Sequence, residues 1–338
     1  MSSPAPTPTP APSHLIAGVR VVVFLALAYT IQFIAFLFLQ PFGLFIGAAL
    51  GVFAGGAIAT VLALRIYQFG ALPDIGLRWH KAALRHIALG IGLGAASALF
   101  VVGFPWLIDK AYFVPAPDYP FSPASILLVG IVLLFGAFGE ELIFRGYPFQ
   151  MLAGKYGTYQ ILLPAGVLFA AAHAGNLNSS PLALFNTFLW GVLLGYALLR
   201  SGDLWLPIGI HFGWNFTLPL FGVNLSGFRM GMTGHTLEWR ASDLWSGGSY
   251  GPEGSVLTLL VVIALFVALH RVPLVRVGGD VVVGPHEAVA QRRAGPDPRA
   301  APHHAPLQRR ALVHHHPVQQ GAPHDAGAAA QADVGAQD

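Results

Sequence analysis

Apolar positions along this chain fall in long unbroken blocks instead of alternating with polar ones. Eight blocks stand out, at about 18–39, 44–64, 84–106, 123–145, 159–175, 181–199, 204–221 and 255–270. Crossing the hydrocarbon of a bilayer takes about 20 apolar residues in a helix, because a helix satisfies its own backbone polar groups there. The pattern therefore predicts an all-α integral membrane protein with about eight transmembrane helices. The fifth and seventh blocks are short, as helices lining a cavity often are, and the fourth runs on to about 153 as a helix leaving the membrane. Residues 1–14 (MSSPAPTPTPAPSH) form a Pro/Ser/Thr/Ala tract that buries nothing, so residues 1–17 are read as a disordered tail. Beyond Arg276 the apolar pattern fades into Ala, Pro, His, Gln and Arg, and residues 277–338 are read as a second such tail. The membrane domain is then 18–276, and its polar interruptions concentrate at about 123–221.

Composition agrees with that pattern. Hydrophobic residues make up 55% of the chain and charged residues 10%, with a mean hydropathy of +0.63, whereas a soluble domain carries about 25% charged residues. The absence of cysteine excludes disulfides and thiolate metal sites. The pI of 9.3 does not point to nucleic acid, because the basic residues sit at the ends of apolar blocks. With the N-terminus in the cytoplasm, that side collects Arg20, Arg65, Arg78, Lys81, Arg85, Arg145, Lys155, Arg200, Arg271 and Arg276. The other side collects Lys110, Arg229 and Arg240. The bias places both termini in the cytoplasm and the protein in the cell membrane as a multi-pass chain.

Ionisable groups at membrane depth are costly, and each is a candidate for function. Between Asp118 and Asp203 the acidic residues are Glu140 and Glu141, both late in the fourth block. Glu141 and Arg145 stand four apart with the acid first, the favourable order for an ion pair on a helix. Glu140 is turned about 100° from Glu141. Glu140 is therefore assigned the chemistry and Glu141–Arg145 a supporting pair; the bland alternative pairs both acids with Arg145. Phe169 and His173 share one face of the fifth block, and His211 and Asn215 one face of the seventh. Their bland alternatives are a core histidine bonded to a backbone carbonyl and polar packing between helices. His86 and His270 lie at block ends, where a wet, snorkelling position suffices. The turn Gly154-Lys155-Tyr156-Gly157 folds the fourth block onto the fifth. Counting from Arg145 at the interface puts Glu140 roughly 7–8 Å deep, and counting from Asp203 puts His211 roughly 12 Å deep. Glu140, His173 and His211 are thus expected around one polar intramembrane cavity, open toward the cytoplasmic side.

The motifs Glu140-Glu141-x-x-x-Arg145, Phe169-x-x-x-His173 and His211-x-x-x-Asn215, in this order on separate helices, resemble those of the CPBP family. That family comprises CAAX proteases and bacteriocin-processing enzymes, the type II CAAX prenyl endopeptidase among them, and the resemblance covers roughly 80–270. It implies an intramembrane endopeptidase with Glu140, His173, His211 and Asn215 as active residues, supported by Glu141, Arg145 and Phe169. Glu140, helped by His173, would activate a water, and His211 and Asn215 would stabilise the oxyanion. The implied partners are the bilayer and a membrane-associated peptide, prenylated in the CAAX case. Two other readings use the same residues: a non-proteolytic immunity or scaffold protein, and a transporter with a Glu140–His173 proton relay. The sequence shows no repeat of the kind transporters often have. Zinc is the remaining question. Its ligands would be His173, His211 and Glu140, but Glu140 as ligand leaves no carboxylate as base. A metal-free mechanism is therefore the expectation, with a divalent metal as its alternative.

Overall fold

The computed structural model describes residues 13–67 and 70–277. Ten α-helices carry the fold: α1 His14–Leu39, α2 Leu44–Ile66, α3 Ala83–Leu107, α4 Pro123–Arg145, α5 Tyr147–Tyr156, α6 Leu162–His173, α7 Pro181–Ser201, α8 Trp205–Thr217, α9 Asp243–Ser246 and α10 Val256–Arg271. Each of the eight predicted blocks contains one of the longer helices. Five spans are long and apolar enough to cross a membrane; α6, α8 and α10 have only 12, 13 and 16 residues. The helix expected to leave the membrane after the fourth block is α5, set off from α4 at Gly146. Helix α1 starts at His14, inside the segment assigned to the N-terminal tail. The rest of that tail, residues 1–12, and the C-terminal tail beyond Val277 lie outside the described residues.

Local sequence fixes where the helices begin. Ser122 and Ser180 each precede a proline at the first helical position, and their hydroxyls accept from Ser125 N at 3.2 Å and Ala183 N at 3.1 Å. Proline loses nothing there, since that N–H has no partner within the helix, and the serine satisfies a later one. Ser255 caps α10 in the same way, accepting from Thr258 N at 3.2 Å. Helix α7 stops at Gly202, whose φ of 76° is left-handed.

The ends of the helices gather into two groups. At one end Leu204 N donates to Gly76 O, Gln150 Nε2 to Ile75 O and Val277 N to Ser201 O. His14, at the start of α1, touches Tyr156 OH at this end. At the other, the strands β1 Ala111–Pro115 and β2 His235–Trp239 pair antiparallel, with Phe113 opposite Leu237. Helices α3 and α8 approach at backbone contact. A methyl group at Gly94 would overlap the Ile210 carbonyl, and one at Gly213 the Ile91 carbonyl. That glycine contact brings α8, with its His211-Asn215 face, within reach of α4.

Arg145 departs from expectation. Counted among the interfacial charges that set topology, it is instead fully buried. Its Nη1 donates to Glu141 at 3.2 Å and its Nη2 to Gly191 O of α7 at 2.8 Å, and its guanidinium lies 4.4 Å from the Phe169 ring centre. A charge with these partners ties helices together and does not report which end faces water.

Candidate active site

Helix α4 presents its two adjacent glutamates to different surroundings, as the turn of 100° per residue requires. Glu141 is fully buried, and its Oε1 accepts from Arg145 and, at 2.9 Å, from His211 Nδ1. The supporting pair is present, and it has a third member that the sequence spacing did not reveal. Glu140 points the other way. Its side chain is 23% exposed and lines a cavity of about 280 Å³, as do His173, His211 and Asn215.

Two histidines converge on Glu140. Its Oε2 lies 3.7 Å from His173 Nε2 and 3.8 Å from His211 Nε2. Both separations are too long for direct hydrogen bonds, and Oε2 is buried without a partner. Hydrogen bonds on the far side of each ring set its orientation. His173 Nδ1 lies 2.8 Å from Phe169 O, and a carbonyl only accepts, so Nδ1 carries the proton and a neutral His173 offers Nε2 as an acceptor. The backbone contact of a core histidine is therefore real, but it leaves Nε2 free for the cavity. His211 Nδ1 likewise donates to a carboxylate that can only accept. Phe169 is the platform beneath this arrangement, with ring centres 4.5 Å from His173 and 6.2 Å from His211.

The metal alternative fits these residues poorly. Zinc bonds of about 2.0–2.1 Å in a tetrahedron hold ligand atoms about 3.4 Å apart. Glu140 Oε2 stands farther than that from both Nε2 atoms, and among the described residues no three His, Asp or Glu side chains are grouped to hold a metal ion.

Three features were not anticipated. The first is Glu253, in the loop before α10, which lines the same cavity. It accepts from Trp214 Nε1 at 3.2 Å and from the backbone N–H and hydroxyl of Ser226. Burial pushes its carboxyl up from the usual range, against the hydrogen bonds from Ser226 and Trp214, which draw it down. No rare-residue signal marks an acid in the polar stretch SYGPEGS. The second is His86, expected in a wet position but only 3% exposed and bonded to Asp203 at 2.5 Å. His270 is exposed at the end of α10, beside Tyr196 OH. The third concerns the cavity's walls. They include Asn176, Leu225, Phe228 and Glu253, which belong to loops at the end that carries β1 and β2. Residues 14 and 277 lie at the opposite end. Next to this cavity lies a second cavity of about 300 Å³, with nearly all its walls apolar and with Tyr29, Ile143, Phe144 and Ala172 shared between the two.

Comparison with known proteins bears on the same helices. An Escherichia coli protein described as an uncharacterized 24.3 kDa protein is 30% identical over 151 residues, which cover 42% of this chain and 62% of the relative. The chain thus spans about three-fifths of that relative. Residues 122–217 match the family described as type II CAAX prenyl endopeptidase Rce1-like. This match runs from the cap of α4 to the end of α8 and contains all seven motif residues. Over 122–217 this chain is thus similar to the Rce1-like type II CAAX prenyl endopeptidases, a family of proteases.

Proposed function

We propose that this protein is an intramembrane endopeptidase in which Glu140 activates water against a peptide carbonyl. The observation that carries the reading is the convergence of Glu140 Oε2 with two histidine Nε2 atoms at 3.7 and 3.8 Å on one cavity. A water placed there gives one proton to Glu140 and points the other at His173 Nε2, which the Phe169 carbonyl keeps as an acceptor. The water oxygen then bonds to the carbonyl carbon. His211 holds its Nδ1 proton on Glu141, so it donates to the oxyanion from Nε2 as an imidazolium whose charge Glu140 and Glu141 balance. Asn215, one turn along α8 on the same cavity, supplies a second donor. Collapse breaks the C–N bond, and the proton held by Glu140 passes to the departing nitrogen.

The substrate class follows from the membrane setting and the neighbouring cavity. A peptide segment with an apolar group fits a polar cleavage site beside a separate apolar chamber, and a CAAX-type prenylated peptide is one such substrate. Eight crossings, with both termini in the cytoplasm, remain the reading of the positive charges. In that orientation the loop wall of the cavity faces away from the cytoplasm. A scaffold or proton-relay role has no support in the family match.

The test is hydrolysis of membrane-anchored reporter peptides by the purified chain in detergent, with and without chelator. Turnover that survives chelation and vanishes in Glu140→Gln is the expected result. Turnover lost to chelation and restored by zinc would sink the metal-free mechanism, and turnover unchanged in Glu140→Gln would sink the site.

A further inference from the structure

Glu253 is a second carboxylate on the proposed cleavage cavity, and the mechanism above does not use it. It comes from the loop before α10, far in sequence from the three motifs, and it is fixed with unusual care. Asn186 Nδ2 donates to the Glu253 carbonyl at 2.8 Å and to the Ser255 carbonyl at 2.9 Å, which pins the turn to α7. Trp214 Nε1 holds Oε1, while the Ser226 N–H and hydroxyl both hold Oε2. Trp214 itself lies between His211 and Asn215 on α8, so the carboxylate is indexed to the helix that carries the oxyanion donors.

Acceptor counting shows what remains open. A carboxylate offers about four lone-pair sites. Two on Oε2 are taken by Ser226 and one on Oε1 by Trp214, leaving one site on Oε1. The residue is half-buried and lines the cavity that His173 also lines. A carboxylate oriented by three donors, with one acceptor site left over on the cavity that Glu140 also lines, is matched to a cationic or N–H-bearing group.

We infer that Glu253 binds the amine released by cleavage, holding the new primary ammonium of the leaving portion within this cavity. The inference rests on the peptidase reading and names where its leaving group goes. Hydrolysis adds water across the C–N bond: the hydroxyl oxygen stays on the carbonyl carbon and the nitrogen takes the proton carried by Glu140. The carboxylic acid then gives up its own proton, and the amine becomes an ammonium. That ammonium calls for a fixed anion, and Glu140 already has His173 and His211 beside it.

The probes are leucyl-leucinamide, which carries an ammonium, and its N-acetyl form, which does not. Binding of each is measured by calorimetry to the full chain in detergent carrying Glu140→Gln, which removes turnover. The ammonium form should bind about tenfold more tightly, the size of one charge-assisted hydrogen bond. Adding Glu253→Gln should bring the ratio to about one, with affinity for the acetylated form unchanged. Equal affinities in the Glu253-intact protein overturn the inference without recourse to any Glu253 variant. So does a preference that persists in Glu253→Gln. The two readings also separate. Reporter cleavage without ammonium preference removes the amine site and leaves the peptidase. A Glu253-dependent preference without any cleavage supports the amine site and removes the peptidase.

Discussion

Two carboxylates in this protein each face a pair of histidines, and they are built in opposite ways. Asp203, between α7 and α8, is 2% exposed, and each of its oxygens is engaged. Its Oδ1 accepts from Trp205 N at 3.1 Å and Leu206 N at 3.3 Å, capping α8, while Oδ2 meets His86 Nδ1 at 2.5 Å and His80 Nε2 at 3.0 Å. Glu140 caps nothing. Its histidines stand off at 3.7 and 3.8 Å, and its Oε2 has no partner. A buried polar atom left unsatisfied costs stability, and this one faces the cavity beside two histidines. The same residue types thus make a closed staple at one end of α8 and an open reaction site farther along it. The separations distinguish them where composition does not.

The largest expected effect tests the open site. Glu140→Gln should lower turnover at least about 10³-fold, since it removes the general base. Thermal unfolding in detergent should barely move, because no hydrogen bond to Glu140 is lost. Asp203→Ala should do the reverse. Loss of the cap and of the buried acceptor should cost about 3 kcal/mol of stability, while turnover per folded molecule stays near the parent value. Measuring both quantities on both variants checks the comparison. A Glu140→Gln protein as unstable as Asp203→Ala would erase the distinction.

Glu141 lies between the two types, and it shows how far the sequence could be read. Its pairing with Arg145 is legible from a spacing of four, because on one helix sequence distance fixes geometry. The convergence of Glu140, His173, His211 and Asn215 is legible for a related reason: polar residues in apolar helices are few and must share a cavity. The bond from His211 to Glu141 crosses from α8 to α4 and depends on helix rotation, which spacing does not encode. The approach of α3 to α8 did leave a trace, in the spacing Gly90-x-x-x-Gly94 against Gly209-x-x-x-Gly213. That trace places His86 opposite Asp203 and argues against a wet position. Glu253 left none, because an acid in a Gly/Pro/Ser loop is ordinary. Glu141→Gln should therefore show both kinds of damage. About 2 kcal/mol of stability should go with the weakened Arg145 pair, and turnover should fall about tenfold as His211 loses its anionic partner. Stability loss with unchanged turnover would reduce Glu141 to the supporting role its spacing suggests.

The smallest effect is expected within the staple itself, where the two histidines are not equivalent. His86 is 3% exposed on α3, and its Nδ1 is aligned on Asp203 Oδ2, so it joins α3 to the start of α8 across the glycine contact. His80 reaches the same oxygen at 3.0 Å, but from the segment before α3, with 14% of its side chain exposed and without an aligned hydrogen bond. A contact of that kind, partly open to water, contributes little. His86→Gln should cost about 1–2 kcal/mol and His80→Gln less than about 0.5 kcal/mol, both read as shifts in thermal unfolding with turnover unchanged. Equal costs would mean that His80 and His86 act as one shared clamp on Asp203. The staple would then resemble the Glu140 site in drawing on both of its histidines, and the contrast between the two carboxylates would rest on distance alone.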